Sequence, residues 1–198
     1  LSSAASDVYK RQAADSGISM TIENITIDGN QKGRLFQLDA TGDGKRNSLT
    51  LNDNAVLQNG YTSANGSAVW LRSGCDFTMN DGAVIQNNTA GKYSGGVMGW
   101  SDDMNVVING GEIKDNNSEY YAGGIVLLGT YHLYLNGGTI SGNSCNSSTY
   151  GGGVFLDGGN LHLGGTLFGD NVDGNDVDKD FYFNSIQAGK TMVTIEGN

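Results

Sequence analysis

The 198-residue chain carries 21 acidic against 11 basic side chains, a formal net charge of −10; a surface that acidic repels phosphate backbones, so nucleic acid is not expected as a partner. No stretch reaches the roughly 18 uninterrupted apolar residues of a membrane helix, and no membrane insertion is expected within this fragment. Two cysteines 70 residues apart, Cys75 and Cys145, with two histidines and no Cys-x-x-Cys pair, supply neither a disulfide framework nor a zinc-ligand spacing.

The chain opens on SSAASDVYKRQ, residues 2–12, a stretch whose pattern never returns downstream and which lacks the apolar core of a secretory signal. It resembles the translation of a transposase adapter used in preparing sequencing libraries. Residues 1–12 are therefore expected to be non-native and unstructured, and 13–198 to be an open-ended piece of a longer protein.

From there a repeat organises the chain. The stretches ITIDGN, NAVLQN, GAVIQN, GEIKDN, GTISGN and TLFGDN each set an apolar residue (Ile27, Val56, Val84, Ile113, Ile140, Phe168) three positions before an asparagine. Those asparagines are Asn30, Asn59, Asn87, Asn116, Asn143 and Asn171, at spacings of 29, 28, 29, 27 and 28. Five positions upstream of each apolar partner lies another: Ile22, Leu51, Met79, Ile108, Leu135 and Leu163. A second marker, Gly66-Ser67-Ala68-Val69, Gly95-Gly96-Val97-Met98, Gly123-Gly124-Ile125-Val126 and Gly152-Gly153-Val154-Phe155, opens a further apolar run in each repeat. The runs are strand-sized and alternate with period two, no stretch after residue 13 keeps a helical period, and the chain has no proline to interrupt a ladder of amide donors. The stretch DATGDGKRNS, residues 39–48, is an enlarged loop in the first complete repeat.

A period of 27 to 29 residues holding about three short strands is too short for a four-stranded propeller blade. It predicts an all-β fold, a single-stranded right-handed parallel β-helix of about six coils, each stacked on the last at about 4.8 Å. Equivalent residues then form columns. The column from Asn30 to Asn171 is expected to be a buried ladder of side-chain amides, each bond contributing about 0.5–1.5 kcal/mol. The parallel column Asn52, Asn80, Asn109 and Asn136 is expected to shape a tight corner through its backbone rather than to form a buried ladder.

At these residues the chain resembles pectate-lyase-like parallel β-helix proteins, and in particular the adhesin repeats of the polymorphic outer-membrane-protein type, whose hallmarks are Gly-Gly-Ala-aliphatic and Phe-x-x-Asn. Phe168-Gly169-Asp170-Asn171 matches the second hallmark, and Gly66-Ser67-Ala68-Val69 comes nearest the first. The closing DFYFNSIQAGKTMVTIEGN resembles the end of such arrays in surface proteins of gut-type anaerobic bacteria. The resemblance implies a secreted or cell-surface bacterial protein, an adhesin-like stalk or ligand-displaying solenoid whose partner is a carbohydrate or a cell-surface protein.

Enzymes on this scaffold need convergent carboxylates, about 5–9.5 Å apart for a glycosidase pair. The candidates are Asp102 and Asp103 in one loop and Asp157 about two coils on; a polysaccharide lyase or glycoside hydrolase is the alternative to a non-catalytic solenoid. In DNVDGNDVDKD, the carboxylates of Asp173, Asp176, Asp178 and Asp180 could offer oxygen ligands to calcium, although the stretch departs from the calcium-loop pattern; no other cofactor is expected. Tyr93, Tyr121 and Tyr150, each two residues before a glycine pair, should stack beside the polar loops, where an aromatic column either grips a ligand or caps the core edge. Trp70 and Trp100 are read as packing residues, His132 and His162 as exposed strand positions. Regular threonine columns of the ice-binding kind are not evident. Because residues 1–12 share no column with the repeats, their deletion is expected to leave the melting temperature unchanged, as a thermal melt of the two chains would check.

Overall fold

The computed structural model describes residues 17–40 and 44–184, with the backbone of 192–195; residues 1–12 and part of the 39–48 loop lie outside the described residues. Among the described residues there is no helix, and the strands stack coil on coil as a parallel β-solenoid of about six turns. One sheet has six strands, Ile25–Asp28, Ala55–Gln58, Val84–Gln86, Glu112–Lys114, Thr139–Ser141 and Leu167–Gly169. A short four-stranded sheet follows it around each coil, Tyr61–Thr62, Thr89–Ala90, Asn117–Ser118 and Ser144–Cys145. The third, of eleven strands, consists of two rows that the long strands Val97–Ile108 and Ile125–Leu135 join. Every ladder between these strands is parallel.

Alternation along each strand turns one side chain into the solenoid and the next outward. The inward column Ile22, Leu51, Met79, Ile108, Leu135 and Leu163 is in register as the repeat requires. Beside it stand Leu49, Phe77, Val106, Leu133 and Leu161, all buried. Each fully buried Leu or Phe contributes about 1.5–3 kcal/mol, more than one hydrogen bond of the ladder. The apolar columns therefore hold the fold, and the polar ones select its register.

The ladder differs from its expected membership. Leu57 and Ile85, not Val56 and Val84, face inward and align with Ile113, Ile140 and Phe168. Three residues beyond each of these come Gly60, Asn88, Asn116, Asn143 and Asn171, and the last four are fully buried. Asn59 and Asn87 sit one position early, with φ of 54° and 55°, at a left-handed corner, and Asn30, also left-handed at 48°, is exposed. The cause is a one-residue difference in the preceding turn. Six positions separate Leu51 from Leu57 and Met79 from Ile85, whereas five separate Ile108 from Ile113 and Leu135 from Ile140. A slip of one residue exchanges the two faces of a strand.

Within the ladder each amide is fully used. The Nδ2 of Asn88 donates to Asn116 Oδ1 (2.9 Å), that of Asn116 to Asn143 Oδ1 (3.0 Å) and that of Asn143 to Asn171 Oδ1 (2.9 Å). Each Nδ2 also reaches a carbonyl of the coil before, from Leu57, Ile85, Ile113 and Ile140 in turn. The same Oδ1 atoms accept from the backbone N–H of Gly60, Asn88, Asn116 and Asn143. Asn171 closes the series by donating to Asp180 Oδ1 at 2.8 Å.

The second asparagine column is not a buried ladder, as expected, but beside marking the corner it carries side-chain bonds from coil to coil. Asn80 donates to Asn52, Asn109 to Asn80 and Asn136 to Asn109, at 2.8–2.9 Å. It lies on the outside, so it is worth less than the buried one. The glycine-pair marker also moves by one residue: Ser67-Ala68 of the second coil, not Gly66-Ser67, aligns with Gly95-Gly96, because Val69 pairs with Val97. Later coils require glycine there, since a Cβ on Gly124 would lie 2.4 Å from the Gly153 carbonyl oxygen.

Asn116→Ala strands donors and acceptors on both neighbouring coils and is expected to cost about 3–5 kcal/mol, whereas Asn59→Gly, at a left-handed position, should change stability by under about 0.5 kcal/mol. Chemical denaturation of the two variants distinguishes the observed register from the one that puts Asn59 in the ladder.

Candidate functional site

On the outside of the eleven-stranded sheet, alternation sends Gln37, Trp70, Met98, Val126, Phe155 and Tyr182 outward in one register. Met98, Val126 and Phe155 are nonetheless buried, because Tyr93, Tyr121 and Tyr150 fold over them from the loop before each glycine pair. The tyrosines form the expected column, and it interlocks with the strand column. Tyr93 stacks on Tyr121 with centroids 4.3 Å apart, Tyr121 on Phe155 at 4.0 Å and Phe155 on Tyr182 at 5.5 Å, while Tyr150 meets Tyr121 edge-on at 4.8 Å. Such pairs contribute about 0.5–1.5 kcal/mol each beyond burial. Burial pushes the Tyr121 hydroxyl up to about 12, so it keeps its proton at neutral pH.

Two rings stand clear of this second core. Trp100 is 48% exposed and Tyr120 49%, and both lean on Tyr93, at centroid distances of 5.8 and 6.3 Å. Trp100 thus corrects its reading as a packing residue. It is the outward position after Met98, separated from it by the inward Gly99, whose missing side chain leaves room for Leu127 and Met104. Tyr120 has no equivalent at the same loop position in other coils, so the repeat gave no reason to single it out; period-two alternation around Gly99 was the available signal for Trp100. Trp70, by contrast, is packed, with the Arg34 guanidinium 4.3 Å from its ring centroid and that of Arg72 at 5.6 Å.

The carboxylates proposed for catalysis each take a bond from another coil. Asp102 Oδ1 accepts from the hydroxyl of Thr130 at 3.0 Å and from its backbone N–H. Asp103 accepts from Arg46 Nη1 at 2.7 Å, and Arg46 also grips Asp76 through Nε and Nη2, a clamp across three coils. The Asp76 hydrogen bond raises the Arg46 pKa above its already high value. Asp157 accepts from Asn184 at 3.1 Å. Asp102 and Asp103 line a cleft of about 340 Å³ with Lys45, Arg46 and Ser73.

The acidic stretch near the end of the array is a closed loop. Asp173 is buried; its Oδ1 accepts from the backbone N–H groups of Asn175 and Val177 and its Oδ2 from Lys179 Nζ at 2.6 Å. Asp180 faces the asparagine ladder, Asp176 holds a left-handed backbone and Asp178 is exposed. Among the described residues no three His, Cys, Asp or Glu side chains gather as a metal group. Cys75 and Cys145 are free and buried. His132 is exposed as expected, while His162 is half-buried and stacks on Tyr134 at 4.4 Å. Thr21, Thr50 and Thr78 stack outward over three coils until Val107 ends the column.

Compared with protein families, with curated proteins and with solved structures, the chain finds no match in any of the three. Function has to be argued from the site itself.

The hydrogen bond from Lys179, with those from the Asn175 and Val177 amides, holds the Asp173 carboxyl below its ordinary 3.8. A carboxyl lowered in the folded state stabilises it above the unfolded pKa, and this is lost as pH falls through the folded value. Asp173→Asn is expected to lower the melting temperature at pH 7, and the gap from the parent chain to close below pH 3.8; a melting series from pH 7 to 2.5 checks it.

Proposed function

We propose that this chain is a non-catalytic solenoid that displays an aromatic face to a carbohydrate, in a secreted or cell-surface bacterial protein of the adhesin kind. The observation that carries the reading is the pair of half-exposed rings, Trp100 and Tyr120, braced on Tyr93. Aromatic rings offer an apolar face to the C–H side of a sugar and a polar tip to its hydroxyls. Stacking on Tyr121, which is itself stacked on Phe155, fixes Tyr93 beneath them, and rings ordered before binding lose little freedom when a ligand arrives. The bonds that Asp102, Asp103 and Asp157 accept from neighbouring coils give these carboxylates a part in holding the coils together. The resemblance of the Gly-Gly-aliphatic and Phe-x-x-Asn repeats to adhesin arrays supports the location.

A glycan array and a polysaccharide-depolymerisation assay on the same preparation test this. The expected result is saccharide binding without new reducing ends or unsaturated products, with Trp100→Ala weakening binding about tenfold or more and leaving the melting temperature within a few degrees. Release of cleaved products would overturn the non-catalytic reading.

A further inference from the structure

One coil before Trp70, the same outer face ends in a basic cleft. Lys32, Arg34, Gln37, Tyr61 and Thr62 line a cavity of about 380 Å³ beside Phe36. Arg34 is fixed in its wall. Its Nε donates to the Gly66 carbonyl at 2.6 Å, its Nη2 to that of Asn65 at 2.6 Å and its Nη1 to Gln37 Oε1 at 2.7 Å, and its plane lies over the Trp70 ring at 4.3 Å. A guanidinium has five N–H donors, so one N–H remains on each terminal nitrogen.

All three acceptors are neutral. Among the described residues no carboxylate pairs with Arg34, although Arg46 has Asp76 and Asp103 and Arg72 has Asp39. Burial lowers the Arg34 pKa to about 10, which still leaves the group charged at neutral pH. A cation withdrawn from water with no counter-charge is unfavourable, and it is the more conspicuous in a chain of net charge −10 that has acids in excess. Lys32 adds a second, exposed positive charge at the mouth, and Tyr61, 42% exposed, forms a side wall.

We propose that this cleft binds the anionic group, a carboxylate or a sulfate ester, of an acidic saccharide whose neighbouring sugars lie along the Trp100 and Tyr120 face. The inference rests on the carbohydrate reading above and names the ligand class. Two remaining N–H groups on a planar, prefixed fork suit a carboxylate or sulfate bidentately. From the coil of Arg34 to that of Trp100 there are two coil steps, about 10 Å, within the span of a short oligosaccharide. Trp70 lies between the two in the same outward column, paired with Gln37 on one side and with Met98 on the other.

Calorimetric titration of the full chain with a galacturonate trisaccharide, with its neutral methyl ester and with a sulfated galactan oligosaccharide tests this. The parent chain is expected to prefer an acidic probe over the ester by about tenfold or more, the worth of one charge-assisted contact. Arg34→Gln should erase the preference, weakening the acidic probe far more than the ester. Lys32→Gln, at an exposed position that the fold does not need, should reduce the preference a few-fold and keeps the test valid if Arg34→Gln unfolds. Preference for the sulfated probe over the galacturonate would assign the anion as a sulfate ester. Equal binding of acid and ester, with Trp100→Ala weakening both, would overturn the anionic subsite while the aromatic-face reading stood. Arg34-dependent binding indifferent to Trp100→Ala would uphold the cleft and remove the aromatic face from the reading; failure of every probe would overturn both.

Discussion

The parallel stacking of each coil on the next is the constraint on which everything else in this molecule rests. The backbone N–H groups of one coil donate to carbonyls a whole coil away, 32 residues from Phe36 to Ala68 in the enlarged coil and 27 from Ala68 to Gly95 and from Val97 to Gly124, so no strand satisfies its own polar groups and none is stable alone. The same stacking turns every position into a column. An asparagine amide buried singly would lose its hydrogen bonds to water without replacement. In the column Asn88, Asn116, Asn143 and Asn171 each lost bond is restored by the coil above or below. The ends of the column are closed differently, by the Gly60 amide at one side and by the Asp180 carboxylate at the other.

That carboxylate ties the acidic loop to the fold. Asp180 accepts from the ladder while Asp173, seven residues earlier, is neutralised by Lys179 and two backbone amides. The loop thus ends the buried polar column and joins it to the strand Phe181–Phe183 of the eleven-stranded sheet, where Phe181 pairs with Val154. Asp173 and Asp180 are thus structural partners within one short loop.

Outward columns obey the same register but not the same chemistry. The core repeats because each coil must fill an equal cross-section; the outer face is under no such demand. The outward column that begins with Gln37 beside Arg34 runs through Trp70, Met98 and Val126 to Phe155 and Tyr182. The face therefore changes along the axis from a basic cleft to an aromatic surface within a few coil steps, and this gradient gives the outside of the solenoid a direction.

The period near 28 residues, the absence of proline, the strand-length alternation and the glycine pairs determined the parallel solenoid from the sequence alone, because coil length and strand count leave few other ways to bury the apolar columns. The tyrosine column was legible for the same reason, since Tyr93, Tyr121 and Tyr150 keep the period. The register of two coils was not. Asn87 and Asn88 are neighbours of equal chemistry, and only the longer turns before Leu57 and Ile85 decide which of them faces inward. Nor could the sequence separate the covered Tyr121 from the exposed Tyr120 beside it, or show that Arg34 lies against Trp70 with no carboxylate paired to it among the described residues. Those facts depend on how loops from different coils fold over a shared face, and spacing along the chain carries no information about contacts made across it.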